Sequence, residues 1–182
     1  MAFAPMSRVS DELSVSLIGI AGAGKTTLGK RLAGRLGWAH LDTDRLIEAT
    51  WGQNLQTILD ERGHAGFLEV EEAILSTLSV HRTVISTGGS VIYSHKAIHR
   101  LKSLGPVIHL DIAVDTFIHR VQDAADRAFV RAPGLSLADV YTERQPLYRA
   151  ACDFSVCTDA AGLDDCLEQC AGKLAELLEK EE

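Results

Sequence analysis

Short apolar runs alternate along the chain with longer stretches whose apolar residues recur every three or four positions. The short runs read as strands and the longer ones as amphipathic helices, an alternation that predicts a parallel sheet covered by helices. Strands are predicted over residues 15–20, 39–42, 83–86 and 107–111, with 154–157 as a weaker fifth. Helices are predicted over 25–36, 45–50, 54–62, 66–80, 94–104 and 115–123. A last helix over 163–182 puts Leu163, Leu167, Leu174 and Leu177 or Leu178 on one face, which is expected to pack on the sheet. Residues 124–137 carry two arginines, a Pro-Gly pair and little periodicity, so they predict a loop long enough to be a lid.

Composition narrows this picture. A chain of 182 residues with only four prolines fits a single domain with a sizeable core, preceded by a flexible N-terminus over 1–13. A net charge of -7 and a pI near 5.5 argue against a partner held by bulk charge, whether nucleic acid or an anionic membrane. Any anion must therefore be met locally. Cys152, Cys157, Cys166 and Cys170 form no C-x-x-C pair and no tight cluster with histidine, so they read as reduced core or helix residues rather than zinc ligands. The opening MAFAPMSRVSDELS lacks the charge and apolar pattern of a secretory leader, and no later run has the length of a membrane span. A cytoplasmic monomer is expected.

The candidate chemistry begins behind the first strand. Gly19-Ile20-Ala21-Gly22-Ala23-Gly24-Lys25-Thr26 satisfies G-x-x-x-x-G-K-[ST] between a predicted strand and a predicted helix, the context that motif requires. Gly22, Ala23 and Gly24 would turn backbone N–H groups toward a phosphate chain, with Thr27 on the helix behind them. Lys25 would reach the β and γ phosphates and Thr26 would offer its hydroxyl to Mg²⁺. ATP and Mg²⁺ are therefore the expected cofactors.

A phosphate cradle does not by itself name a reaction. Asp42 and Asp44 follow at the end of the second strand, two residues apart, and are expected to project to the same side. One carboxylate, Asp42, suits Mg²⁺, and the other, Asp44, suits an acceptor hydroxyl whose proton must leave. Asp44 is equally placed to be a helix N-cap. Gly88 and Gly89 end the third strand, where bare backbone allows an acceptor to come close.

Together these residues resemble the shikimate kinase family, P-loop kinases related to the nucleoside monophosphate kinases. The resemblance runs from Val15 to about Thr158 and rests on three further pieces: Asp42-Thr43-Asp44, Val84-Ile85-Ser86-Thr87-Gly88-Gly89, and Arg144-Gln145-Pro146-Leu147-Tyr148 as a late helix start. It implies a three-layer α/β P-loop NTPase fold, with a central five-stranded parallel sheet, helices on both faces and a lid. It also implies transfer of a γ-phosphoryl group to the hydroxyl of a small hydroxy acid. By resemblance Arg144 holds the acceptor's carboxylate, Gly88 and Gly89 line its site, Arg127 is the lid arginine at the transferring phosphoryl group, and Arg120 stacks on adenine.

One departure bears on the acceptor. The family's Phe-Arg-x-x-Glu reads Phe67-Leu68-Glu69-Val70-Glu71 here, so one of two arginines expected to clamp the carboxylate is a leucine. Ser90 and Ala128 replace a usual glycine and proline. Losing one charge-assisted contact in a dry pocket costs on the order of 1.5–3 kcal/mol. Arg100 or Arg131 offers a replacement charge. Otherwise Asp44 and Glu71, with Glu69 or Glu72 as further candidates, make the acceptor side negative enough to suit an amino acid alcohol such as homoserine. A noncatalytic ATP-binding homologue is the remaining alternative.

Overall fold

A computed structural model describes residues 12–123, 129–159 and 161–179, and among them five strands form one parallel sheet. The strands are β1 (Val15–Ile18), β2 (Ala39–Asp42), β3 (Thr83–Ser86), β4 (Val107–Asp111) and β5 (Phe154–Cys157), in spatial order β2-β3-β1-β4-β5. The helices are α1 (Lys25–Leu36), α2 (Thr43–Trp51), α3 (Leu55–Leu75), α4 (His95–Leu104), α5 (Val114–Asp123), α6 (Leu137–Ala151) and α7 (Leu163–Glu179). Central strands β1 and β3 are buried throughout and β4 is buried up to its last residue, whereas the edge strands β2 and β5 are half-covered. That difference explains why β5 is the faintest strand in the sequence.

The chain leaves β1 toward β2 on one side and leaves β3 toward β4 on the other, although β1 and β3 are neighbours. Where adjacent connections diverge, a crevice opens beyond the carboxyl ends of the strands. The cradle and Asp42 lie at those ends.

The element ends differ from the periodicity in ways that have local causes. β1 stops at Ile18 rather than at residue 20, because Lys25 Nζ takes the Gly19 and Ile20 carbonyls at 2.7 and 2.8 Å. α2 begins at Thr43, earlier than predicted, since the Asp42 side chain caps it by accepting from the Asp44 and Arg45 amides. Asp42, not Asp44, is thus the N-cap. Asp44 consequently sits in the first turn of a helix and not at a strand end, so the expected alternation along β2 is not what places it beside Asp42. The two helices predicted over 54–62 and 66–80 form one element broken at Gly63, whose φ of 67° and ψ of -179° interrupt the helical path. Its second half ends at Leu75, where a tighter turn brings the Leu78 amide to the Leu75 carbonyl.

Periodicity did not predict α6. A capping box between Ser136 and Asp139 starts it, so Arg144 to Tyr148 lie inside the helix and not at its start, with Pro146 in its interior. Residues 124–128, within the predicted lid, lie outside the described residues, and 129–136 are irregular. On α7 the fully buried residues are Cys166, Cys170 and Leu174, while Leu163 is exposed, because the helix packs on α1 and β5. Arg31–Asp164 and Arg35–Glu168 ion pairs at 2.8 and 3.2 Å join α7 to α1. Residues 1–11 of the predicted N-terminal segment lie outside the described residues, and the Leu13 carbonyl accepts from the Arg82 amide at 2.9 Å. Among the described residues no helix is long and apolar enough to cross a membrane.

Candidate active site

The first half of the site is the turn between β1 and α1. Gly24 adopts a φ of 90° immediately before α1, a conformation that a side chain would strain, and no side chain caps the helix there. The first amides of α1 are thus left to an anion, on the positive end of the helix. Lys25 is largely buried, held by the two carbonyls it faces at the base of the loop. Thr26 Oγ1 donates to Asp42 Oδ2 at 2.7 Å, so a hydroxyl and a carboxylate stand side by side. These are hard oxygen donors of the kind Mg²⁺ takes alongside waters and phosphate. Thr27 is exposed on the first turn of α1. Arg120 reaches over from α5 to donate to the Gly22 carbonyl at 2.6 Å, and Thr158 Oγ1 donates to the Ala23 carbonyl at 3.0 Å.

The second half opens beside Lys25. Its pocket is lined by Lys25, Asp44, Phe67, Gly88, Gly89 and Arg144, among others. Four of the predicted site elements, remote in sequence, therefore meet in one concavity: the phosphate loop, the aspartate pair, the Gly88-Gly89 turn and the late arginine. Gly88 leaves room for two carboxylates: a methyl group there would lie 2.7 Å from Glu71 Oε1 and 2.8 Å from Asp44 Oδ1, so these side chains would have to move aside. Its amide donates to Thr43 Oγ1 at 3.1 Å, which fixes the turn.

Glu71 is 1% exposed, and its Oε1 has no hydrogen-bond partner among the described residues. Burial pushes this carboxyl up to about 7, and the charge of Asp44 adds to that, against the opposing effects of Ser90, Arg144 and Lys25. Arg144 is equally buried. Its Nε donates to the Tyr93 hydroxyl at 3.1 Å, its Nη2 donates to the Val130 carbonyl, and its guanidinium lies over the Tyr93 and Phe129 rings at 5.0 and 5.5 Å. One helical turn on, Tyr148 donates its hydroxyl to the Gly89 carbonyl at 2.6 Å and stacks on His109 at 5.1 Å. Burial lowers His109 to about 4, so this ring is neutral at physiological pH.

Several expectations about charge fail on this geometry. Leu68 is half-buried against the core and does not line the pocket. Arg100 donates to the Leu78 carbonyl at 2.6 Å and Arg131 to the Leu135 carbonyl at 3.1 Å, and neither lines the pocket. Glu69 is exposed, and Glu72 binds Ser94 and Lys96, which leaves Glu71 as the one glutamate of that segment beside Asp44. Arg127 lies outside the described residues. Sequence reasoning assigned no role to Tyr93 or Phe129. Tyr93 follows the Gly88-Gly89 turn closely enough to have been suspected, but nothing in its spacing points to Arg144.

A model of the shikimate kinase family matches residues 21–176. The chain belongs to the shikimate kinase family. It is 37% identical to the shikimate kinase of Chromohalobacter salexigens over 82% of this chain and 84% of that protein. It is 32% identical to the shikimate kinase of Chlorobium chlorochromatii over 88% of this chain and 90% of that one. Among solved structures it resembles the shikimate kinase from Acinetobacter baumannii in complex with shikimate, with a TM-score of 0.78 and 29% identity, covering 94% of this chain and 96% of that one. Membership makes the protein an ATP-dependent small-molecule kinase, with the P-loop kinase fold seen in the sheet order above. A homoserine kinase or a noncatalytic homologue is not favoured by these relatives.

Proposed function

We propose that this protein transfers the γ-phosphoryl group of ATP to a hydroxyl of shikimate. The observation that carries the reading is the pocket in which the phosphate-loop lysine, an aspartate and a buried arginine meet. Lys25 and the amides at the start of α1 bind the phosphate chain and stabilise charge on the phosphoryl oxygens. Thr26 and Asp42 would hold Mg²⁺, which neutralises phosphate charge when bound. Arg120 covers the nucleotide from the α5 side. Arg127 has the lid arginine's role, in keeping with the family resemblance.

Asp44 orients the acceptor hydroxyl and takes its proton, and the apolar flank of Phe67, Phe129 and Val130 excludes water that would compete for the phosphoryl group. Arg144 binds the acceptor's carboxylate, and Gly88 and Gly89 let the ring approach the backbone. The buried carboxyl of Glu71, raised to about 7, carries less negative charge near neutral pH than an exposed glutamate would, which reduces its repulsion of an anionic acceptor.

Coupled measurement of ADP release with MgATP, with and without shikimate, tests the reading. Turnover that depends on shikimate is expected, and Asp44→Asn should lower kcat roughly 10²- to 10⁴-fold. ADP release that shikimate does not stimulate would overturn it.

A further inference from the structure

We infer that Tyr93 is the positioning residue that aims Arg144 at the acceptor's carboxylate, taking over the orienting task that a second arginine would share. This rests on the shikimate reading above. A guanidinium has its N–H donors in one rigid plane, so its usefulness depends on how that plane is turned. Here the Nε edge is fixed by the Tyr93 hydroxyl at 3.1 Å, while Nη2 is committed to the Val130 carbonyl. The guanidinium carbon also lies over the Tyr93 and Phe129 rings, 5.0 and 5.5 Å from their centres. Nη1 remains beside Gly89, 3.3 Å from where a methyl on that glycine would lie, on the wall of the pocket.

Tyr93 is itself held. It ends the short 3-10 turn Val91–Tyr93 that follows Gly89 and Ser90, and its ring meets His64 edge-on at 6.3 Å. The Glu143 carboxylate lies beside its hydroxyl, next in sequence to the arginine that the hydroxyl holds. His64 and Leu68 are four residues apart on the second half of α3, so the segment that carries leucine in place of the arginine also supports the tyrosine from behind. The carboxylate is thus met by one guanidinium turned in advance, and the entropy of orienting it is lost in folding instead of in binding.

Steady-state kinetics of Tyr93→Phe and Tyr93→Leu, beside the unaltered protein, decide the matter. The phenylalanine variant keeps the ring and loses the hydroxyl, and its KM for shikimate should rise roughly three- to tenfold. The leucine variant loses the ring contact as well and should rise further, roughly ten- to fiftyfold. In both, kcat and the KM for ATP should stay within about twofold, which a general loosening of the fold would not allow. With an analogue whose carboxylate is replaced by a hydroxymethyl group, the variants and the unaltered protein should have the same KM. An unchanged shikimate KM in both variants overturns the inference alone, as does a parallel rise in both KM values. Absence of shikimate turnover by the unaltered protein overturns the proposed function and this inference with it.

Discussion

On the phosphate side, Gly19 to Thr26 is one unbroken stretch of chain, and apart from the bond of Thr26 to the Asp42 side chain its contacts are to backbone: Lys25 to the Gly19 and Ile20 carbonyls, Arg120 to the Gly22 carbonyl. The acceptor side instead gathers Asp44 from α2, Glu71 from α3, Gly88 from beyond β3 and Arg144 from α6, and ties them through side chains. A loop of the first kind is set by turn chemistry, and its ligand is the invariant part of the substrates. A pocket of the second kind is set by how four elements pack, so its residues can change in compensating groups. Leu68 belongs to that second kind of region, and there a single substitution is a poor guide to the ligand.

The largest test of this contrast lies in the cradle. Lys25→Ala should lower kcat by roughly 10³-fold or more while the protein stays folded, because the lysine acts on the phosphoryl oxygens. Circular dichroism beside turnover checks both halves of that statement.

On the acceptor side the first effect is on stability. Glu71 holds its proton up to about 7 when folded, against an ordinary value of 4.5, so the folded state binds more protons between those limits. The penalty for ionising it is absent below about 4.5 and grows to its full size above about 7. Relative to Glu71→Gln, the unaltered protein should therefore lose on the order of 3 kcal/mol as pH rises through that window. Denaturant titrations of both proteins at pH 4.5 and 8 read the difference. Equal pH dependence would mean that the carboxyl is solvated.

Next comes recognition. Arg144→Met should raise the KM for the acceptor roughly ten- to a hundredfold and leave that for ATP unchanged, since only one half of the site loses its charge-assisted contact. Smallest of all is Leu68→Ala, which should cost about 1–2 kcal/mol of stability from lost packing and leave the acceptor KM within about twofold. A large KM change would place Leu68 back in the pocket.

The cradle was legible because each part of it is local: a strand, a glycine turn, a lysine and a helix in immediate succession. Asp42 and Asp44 were legible as chemistry but not as geometry, since the cap that starts α2 at Thr43 depends on where the edge strand β2 ends against β3. Gly88 was visible as a permissive turn, yet the reason for it, two carboxylates crowding from α2 and α3, appears only in three dimensions. The stripe on α7 was only partly legible: Leu174 is buried and Leu167 and Leu178 pack against the core, but Leu163 is exposed, and Cys166 and Cys170 are buried where the helix meets α1 and β5.

The order of the strands and of the helices other than α6, the phosphate loop and the family signatures followed from sequence alone, because they depend on spacing and on backbone rules that act within a few residues. Which charges share the acceptor pocket, that Leu68 stays out of it, and that Tyr93 holds Arg144 were decided only by the tertiary structure. Contacts between residues 93 and 144 depend on how α6 packs beside the turn after β3, and no local rule carries that information.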